Sequence, residues 1–297
     1  MVWRPAKGLG IIVGLLFALT IIGIDIFLVR GMIGREIDLN LYISALIFIL
    51  SLPVLGLWAY WYYSLLTLRY ALDRNALTIV CGFSRHIVPM EAIKRIVPGK
   101  EVTIAEGLRG FGWPGFLMGY LRLKDLGLLL VYSTEVIERQ LVVVTDSICY
   151  GISPRDAQQF LADYATRRAL EPIRTLEQTI EYAPIALLPI WRDRWFWGMI
   201  LLAFVANIIL FGVVARAYGS LPERIPLYFD MQGRISRIAP KIGLLIIPGI
   251  GAMTLATNGF LAFFLHRRER LGSYLLAGMA LAIQLVLWLA TLSVLKR

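Results

Sequence analysis

The stretch that decides the fold runs from residue 41 to residue 89. It reads "LYISALIFILSLPVLGLWAYWYYSLL" (41–66), followed after one residue by "LRYALDRNALTIVCGFSRHIVP" (68–89). The first piece is apolar for long enough to cross a hydrocarbon core of roughly 30 Å at about 1.5 Å per helical residue. The second piece contains short β-rich segments separated by turn signals. A membrane-crossing helix that leads directly into strands predicts an α+β membrane protein.

The composition of the whole chain favours the same class. Of its 297 residues 58% are hydrophobic and only 17% are charged, and the mean hydropathy is +0.71. Soluble globular domains carry about 25% charged residues, so a membrane protein in contact with the lipid bilayer is predicted. About five transmembrane helices are expected, at 8–29, 41–66, 195–217, 242–265 and 271–295. An odd number of crossings would place the two termini in opposite compartments.

The first apolar stretch has a second interpretation as a signal peptide, because Arg4 and Lys7 form a basic segment in front of it. Its apolar run is longer than the core of an ordinary signal peptide, which is about 7–15 residues. We therefore interpret it as a retained anchor. Gly10 and Gly14 within it have the spacing of small residues that seat a neighbouring helix.

The middle of the chain, 67–170, is polar and rich in predicted strands. It ends with "SPRDAQQFLADYATRR" (153–168), which predicts an amphipathic helix. Ser153 is the expected N-cap, and Asp156 would complete a capping box three positions later. The apolar face of this helix should pack on the strands.

The stretches "GFGWPGFLMGYLRLKDLGLLLVYSTE" (110–135) and "LVVVTDSICYGISPRDAQQFL" (141–161) carry a resemblance. Over about a hundred residues the region resembles the bacterial pleckstrin-homology-like (PH-like) domain family. The resemblance implies a PH-like β-barrel, inserted between the crossings and capped by one C-terminal helix. In related membrane proteins two crossings commonly precede such a domain, which is held at the cytoplasmic face.

The segment between the third and fourth crossings, 218–241, is too elaborate for a simple connection. It contains "LPERIPLYFDMQGRISR" (221–237), in which Pro222 and Pro226 favour extended geometry and Gly233 ends a predicted turn. This stretch resembles the loop of a domain of unknown function found in the sporulation-delaying-protein immunity family. The matching positions are Leu221, Pro222, Glu223, Arg224, Ile225, Pro226, Phe229 and Gly233. The resemblance continues through the next two crossings and implies an extracytoplasmic loop.

The loop departs from that family at three positions. Tyr228 stands where histidine is usual, Asp230 where asparagine is usual, and Ser236 where a later aspartate is usual. A proton-linked or metal role that depends on the histidine or the aspartate therefore does not follow from the resemblance.

Both resemblances imply one orientation in a bacterial cell membrane, with the N-terminus and the PH-like domain in the cytoplasm and the C-terminus outside. The positive-inside rule points the other way. The short segments on the N-terminal side hold five Lys or Arg, whereas those on the opposite side hold nine. We keep the orientation that the resemblances imply.

The predicted organisation therefore has four parts. They are two transmembrane helices in 1–66, the PH-like domain in 67–170, an interfacial linker in 171–194 and three transmembrane helices in 195–297, with the proline-rich extracytoplasmic loop at 218–241.

The candidate binding residues lie in two places. In the outer loop they are Arg224, Tyr228, Asp230 and Arg234. In the domain the candidate is Trp113, because flexible glycines surround this bulky aromatic residue. The alternative for Trp113 is a corner between strands, where its ring would fill the end of the barrel.

Three polar residues fall inside or at the ends of the crossings, namely Asp25, Arg216 and Gln284. A polar group in lipid is costly unless it is paired or hydrated, so each is a functional candidate. Asp25 and Arg216 both lie near the outer boundary and are candidates for a pair.

No pattern for catalysis, a cofactor or a metal is present. His86 and His266 have no second ligand at metal-binding spacing, and Cys81 and Cys149 form no Cys-x-x-Cys motif. Nucleotide-binding and hydrolase motifs are absent from the sequence. The basic residues that a phosphoinositide needs are scattered among acids, so we expect neither a phosphoinositide nor a nucleic acid as partner.

We therefore expect a non-enzymatic sensor, adaptor or immunity-type protein that binds a protein or peptide partner. The alternative is a transporter component that moves a small solute through the helix bundle. It would need water-accessible polar residues in the crossings, and few are present.

Overall fold

The computed structural model describes residues 1–170, 173–174, 176–182, 188–229 and 235–295, with the backbone alone at 228–229 and 235–236. The chain divides into two compact units. The first is Met1–Ile24 with Ser51–Ala183, and the second is Asp25–Leu50 with Pro184–Arg297. Each unit has its own buried core.

Six helices account for the apolar stretches and for one amphipathic segment. They are α1 (Gly8–Met32), α2 (Leu39–Thr67), α3 (Ala157–Arg168), α4 (Arg194–Tyr218), α5 (Ile246–Leu265) and α6 (Arg270–Leu295). All except α3 are long and apolar enough to cross a membrane, α5 together with the 3-10 turn Lys241–Leu245 that precedes it. The five predicted stretches are therefore confirmed as helices.

The described residues also form thirteen strands. They are β1 (Val2–Trp3), β2 (Arg69–Leu72), β3 (Ala76–Cys81), β4 (Ser84–Pro89), β5 (Arg95–Pro98), β6 (Ile104–Trp113), β7 (Phe116–Leu123), β8 (Gly127–Ser133), β9 (Leu141–Val144), β10 (Cys149–Ile152), β11 (Thr179–Glu181), β12 (Arg224–Phe229) and β13 (Ile235–Pro240). Two sheets belong to the first unit, and β12 and β13 form a hairpin in the second.

The first sheet has the order β1-β2-β3-β4-β11. Its three central strands were predicted from their β-rich composition and from the turn signals between them. The outer strands come from outside the predicted 67–170 domain, because Trp3 pairs with Tyr70 and Ile180 pairs with His86. One segment that precedes α1 and another that follows α3 therefore complete this sheet.

The second sheet has the order β5-β9-β10-β8-β7-β6, in which β8 and β10 are parallel. The predicted closed barrel is wrong, because no ladder of hydrogen bonds joins the two sheets among the described strands. The chain passes from the first sheet to the second between β4 and β5, and these strands end at Pro89 and Pro98. Proline has no N–H, so neither strand can donate a further ladder hydrogen bond from its last residue. The two sheets instead share one buried core, which includes Ile79 of the first and Ile152 of the second.

Helix α3 packs on this core as predicted, but its N-cap differs. The Asp156 carboxylate accepts a hydrogen bond from the Gln159 N–H at 2.9 Å and caps the helix. Ser153 was the wrong choice, because it is buried behind β10 and its Oγ accepts from the Thr134 N–H at 2.9 Å. Phe160 of α3 is completely buried.

In the second unit α4, α5 and α6 pack against one another, and the hairpin β12–β13 connects α4 to the turn before α5. The predicted extended first half of the loop is confirmed as β12, whereas the predicted turn at 230–233 lies outside the described residues. Ile225 anchors the hairpin through a buried cluster with Val214, Leu244 and Val294.

Candidate functional site

Trp113 lies at the turn between β6 and β7 and contacts the first helix. Its ring is 8% exposed, and its Nε1 donates a hydrogen bond to the Gly10 carbonyl at 2.9 Å. Trp58 of α2 stacks beside it at 4.8 Å between ring centroids and donates to the Gly14 carbonyl at 3.0 Å. The Trp113 indole therefore ties the domain to α1, and its ring contact with Trp58 reaches α2, within the first unit. Trp113 thus lies at a corner between strands, as the alternative interpretation has it, but its ring packs on the helices, and its role in binding stays a prediction.

The close approach requires glycine on both sides. A Cβ at Gly10 would lie 2.4 Å from the carbonyl oxygen of Gly115, and Gly115 has a φ of +89°, which favours glycine. A Cβ at Gly14 would lie 2.7 Å from the ring of Tyr62. The glycine pair that was predicted to seat a helix thus seats the helix α2 at Gly14, through Tyr62, and a turn of the domain at Gly10.

The hairpin is held at its base. Glu223 and Lys241 form an ion pair at 3.0 Å, and the Lys241 ammonium lies over the Tyr218 ring at 5.0 Å from its centroid. Arg224 is exposed at the start of β12. Of the other three candidates, Tyr228 is described by its backbone alone, and Asp230 and Arg234 lie outside the described residues. Their role stays a prediction.

Gln284 belongs to a buried amide network that joins α4, α5 and α6. Asn207 Nδ2 donates to Gln284 Oε1 at 3.1 Å and to the Pro248 carbonyl at 3.0 Å. Gln284 Nε2 donates in turn to the Gly251 carbonyl at 3.0 Å. Asn207 was not predicted, although a lone amide in an apolar run is the signal that identified Gln284.

The other two intramembrane candidates also lie in the second unit. Asp25 of α1 is 6% exposed and takes part in at least one polar or electrostatic interaction. Arg216 is exposed in the last turn of α4. The pairing of Asp25 with Arg216 stays a prediction.

A second polar cluster, which was not predicted, lies where α4 begins and where α5 turns into α6. Asp193 caps α4, accepts from the Tyr274 hydroxyl at 2.5 Å and lies 3.4 Å from His266 Nε2. Desolvation raises the pKa of Asp193, but the hydrogen bonds from Tyr274 and from the α4 backbone outweigh it and leave this pKa below its usual value. His266 Nδ1 is 3.1 Å from Ser273 Oγ. This polar cluster connects the ends of α4, α5 and α6. Because Ser273 is completely buried, its hydroxyl is not an accessible nucleophile.

His86 is buried in the PH-like domain, and neither ring nitrogen has a hydrogen-bond partner among the described residues. Its ring lies against Tyr132 and Tyr150, at 4.6 and 5.8 Å between centroids. Burial lowers the pKa of His86 to about 4, because a charged imidazole would lose its hydration there. Cys81 and Cys149 are free and buried, and burial raises the pKa of Cys81 to about 12, so its thiol is protonated and unreactive.

Two basic residues of the PH-like domain form ion pairs with acids. Lys94 pairs with Asp146, and Arg109 pairs with Glu106 at 3.4 Å. Within the described part of the chain, no group of three His, Cys, Asp or Glu could hold a metal ion.

Comparison with known families agrees with the two segments described above. Residues 68–168 match the bacterial PH domain family, and residues 199–252 match a domain of unknown function, DUF1648. Both resemblances seen in the sequence are thereby confirmed. No curated protein and no solved structure matches the chain. The matched domains and the five candidate spans indicate a multi-pass membrane protein.

Proposed function

We propose that this chain is a non-enzymatic membrane sensor or adaptor of a bacterial cell. Its hairpin contacts a peptide or an envelope component outside, and its PH-like domain holds a protein partner in the cytoplasm.

The observation that carries this proposal is the junction between the domain and the first two helices. Helix α2 ends at Thr67 and β2 begins at Arg69, so no flexible linker separates them. The indole hydrogen bond of Trp113 to the Gly10 carbonyl of α1 adds a second attachment. A domain attached in this way follows a tilt or rotation of either helix, which is the rigid-body motion that a sensor requires.

The hairpin supports the other half of the proposal. Its two strands are paired and its base is anchored by Ile225, so a partner would meet a surface that is already ordered. Preorganisation lowers the entropic cost of binding.

The binding test uses the full chain in its own membrane. A photo-reactive amino acid at the exposed Pro222 should give an adduct of defined mass, whereas the same amino acid at Arg267, beyond the far end of α5, should not. Combined replacement of Arg224, Tyr228, Asp230 and Arg234 by alanine should remove the adduct. An adduct that survives this replacement, or none at either position, contradicts the proposal.

Sidedness is tested separately with a membrane-impermeant maleimide. Because Cys81 and Cys149 are buried, single cysteines introduced at Pro222 and at the exposed Glu138 report the two regions. We expect labelling at 222 in intact cells and at 138 only after permeabilisation. Labelling of both from the same side rejects the division between an outer hairpin and an inner domain.

A transporter component is the second candidate. It would use polar side chains inside the helix bundle, where Asn207 and Gln284 are buried and hydrogen-bonded to each other. Uptake into vesicles that depends on Asp25 and Gln284, measured with Asp25→Asn and Gln284→Leu, would support transport over the sensor proposal.

A further inference from the structure

A cavity of about 810 Å³ opens in the first unit, where α1 begins and α2 ends. Four cationic side chains line it, those of Arg4, Lys7, Arg69 and Arg155. The rest of the lining is apolar, aromatic or hydroxyl-bearing and comes mainly from residues 63–68, and it includes no carboxylate. In the sequence Arg4 and Lys7 stand out only as a basic flank of the first apolar stretch.

Backbone contacts bring the four cations together from distant parts of the chain. The Arg155 N–H donates to the Arg4 carbonyl at 3.1 Å, and the pairing of β1 with β2 fixes the segment in front of Arg4 beside Arg69. Lys7 Nζ donates to the Leu66 carbonyl at 2.6 Å, at the last turn of α2. The cluster is therefore built by the fold of the first unit.

The four charges have no ion-pair partner among the residues that the structure describes. The nearest acid in sequence, Asp156, caps α3. Partial burial, together with the charges of Arg4 and Arg69, lowers the pKa of Lys7 to about 8. Like charges held close together repel, so an anion bound among them would be favoured.

We propose that this cavity binds a phosphate group. Guanidinium groups offer paired N–H donors that fit phosphate oxygens, and lysine adds a point charge. The cavity lies at the ends of two candidate spans, which is the depth of lipid headgroups. The source of the phosphate is an anionic phospholipid or the free anion, and the two are separated by experiment.

The experiment titrates the full-length protein in neutral detergent with phosphatidylglycerol or phosphatidylcholine and counts bound lipids by native mass spectrometry. The test variant is Arg69→Gln with Arg155→Gln. Its charge-matched control is Arg109→Gln with Arg122→Gln, two exposed arginines of β6 and β7 outside the cavity. Each arginine near an anionic headgroup contributes about 5-fold, so the test variant should lose on the order of 25-fold in affinity for phosphatidylglycerol.

Two arms identify the source. If the protein prefers phosphatidylglycerol and inorganic phosphate does not compete, the result supports a lipid headgroup as the source. If inorganic phosphate competes, the result supports the free anion. Equal binding of both lipids without any effect of phosphate, or equal losses in the test and control variants, overturns the site. Without lipid, the unfolding temperatures of both variants must match that of the wild type. If the unfolding temperature of the test variant is lower, a third variant, Arg4→Gln, replaces it.

Discussion

Replacing Gly10 with alanine should loosen the PH-like domain from α1. The added Cβ would lie 2.4 Å from the carbonyl oxygen of Gly115 and 3.0 Å from Leu65 Cδ2, and the first of these atoms is backbone that cannot rotate away. Alanine gains about 1 kcal/mol over glycine in a helix. Overpacking costs about 1–3 kcal/mol, and weakening the bond from Trp113 Nε1 costs about 1 kcal/mol more. The free energy of unfolding should therefore fall by about 1–3 kcal/mol.

Gly23 is the matched control in the same helix. A Cβ at that position meets no atom within 4 Å, so only the helix-propensity term applies. Gly23→Ala should leave the stability unchanged or raise it by up to about 1 kcal/mol. Replacing glycine by alanine is thus expected to lower the free energy of unfolding at Gly10 and to leave it unchanged or raise it at Gly23.

The assay uses the two buried cysteines as reporters. A fluorogenic maleimide reacts with Cys81 and Cys149 only after the domain opens, so its fluorescence during heating follows unfolding of the first unit. At about 2–4 °C per kcal/mol, the midpoint for Gly10→Ala should fall by about 2–12 °C. A midpoint equal to that of the wild type, or an equal fall for Gly23→Ala, would refute the claim that a backbone contact at Gly10 holds the domain.

Three further predictions follow from the buried and charged groups. Gln284→Leu removes one acceptor of the Asn207 amide and the donor to the Gly251 carbonyl, and it should cost about 1–2 kcal/mol in thermal unfolding. Asn207→Leu combined with it should cost less than the sum of the two, and strict additivity would argue against a network. His86 has an unfolded pKa of 6.5 and a folded pKa of about 4, so the unfolded chain binds more protons in this window. Domain stability should therefore fall as the pH drops from 6.5 to 4, by up to about 3 kcal/mol, and the fall should be absent in His86→Leu. The same fall in both proteins would exclude His86 as its cause. Raising the pH through about 8 should weaken phosphatidylglycerol binding as Lys7 loses its proton, while the surrounding arginines stay charged. Lys7→Arg should retain binding at the higher pH, and an equal loss in both would contradict a contribution from Lys7.

The apolar runs, the β-rich composition of β2, β3 and β4 and the turn signals between them were enough to predict five helices and the centre of the first sheet. Strands β1 and β11 could not be predicted, because strands of two or three residues carry no periodicity and form only where a partner is already in place. The N-cap of α3 was misplaced for a related reason. Ser153 and Asp156 are both good capping residues, and only the burial of Ser153 against Thr134 decides between them.

The candidate sites show the same limit. Gln284 could be identified from its position in an apolar run, but its partner Asn207 lies 77 residues away. Trp113 was assigned to a partner because the contact with Gly10, 103 residues earlier, is invisible in the local pattern. The cationic cavity was missed because Arg69 and Arg155 are unremarkable charges until the fold places them beside Lys7.

Strand β1 precedes the first candidate span, and its partner β2 follows the second. The pairing of Val2 with Ala71 therefore joins the chain before the first helix to the chain after the second. Strand β1 can join the sheet only after both helices and β2 have been synthesised, because its partner follows them in the chain. Trp3 then reaches Phe160, with 5.8 Å between ring centroids, and covers the core from that side. A chain in which β1 fails to pair would leave the edge of β2 and this side of the core open to solvent.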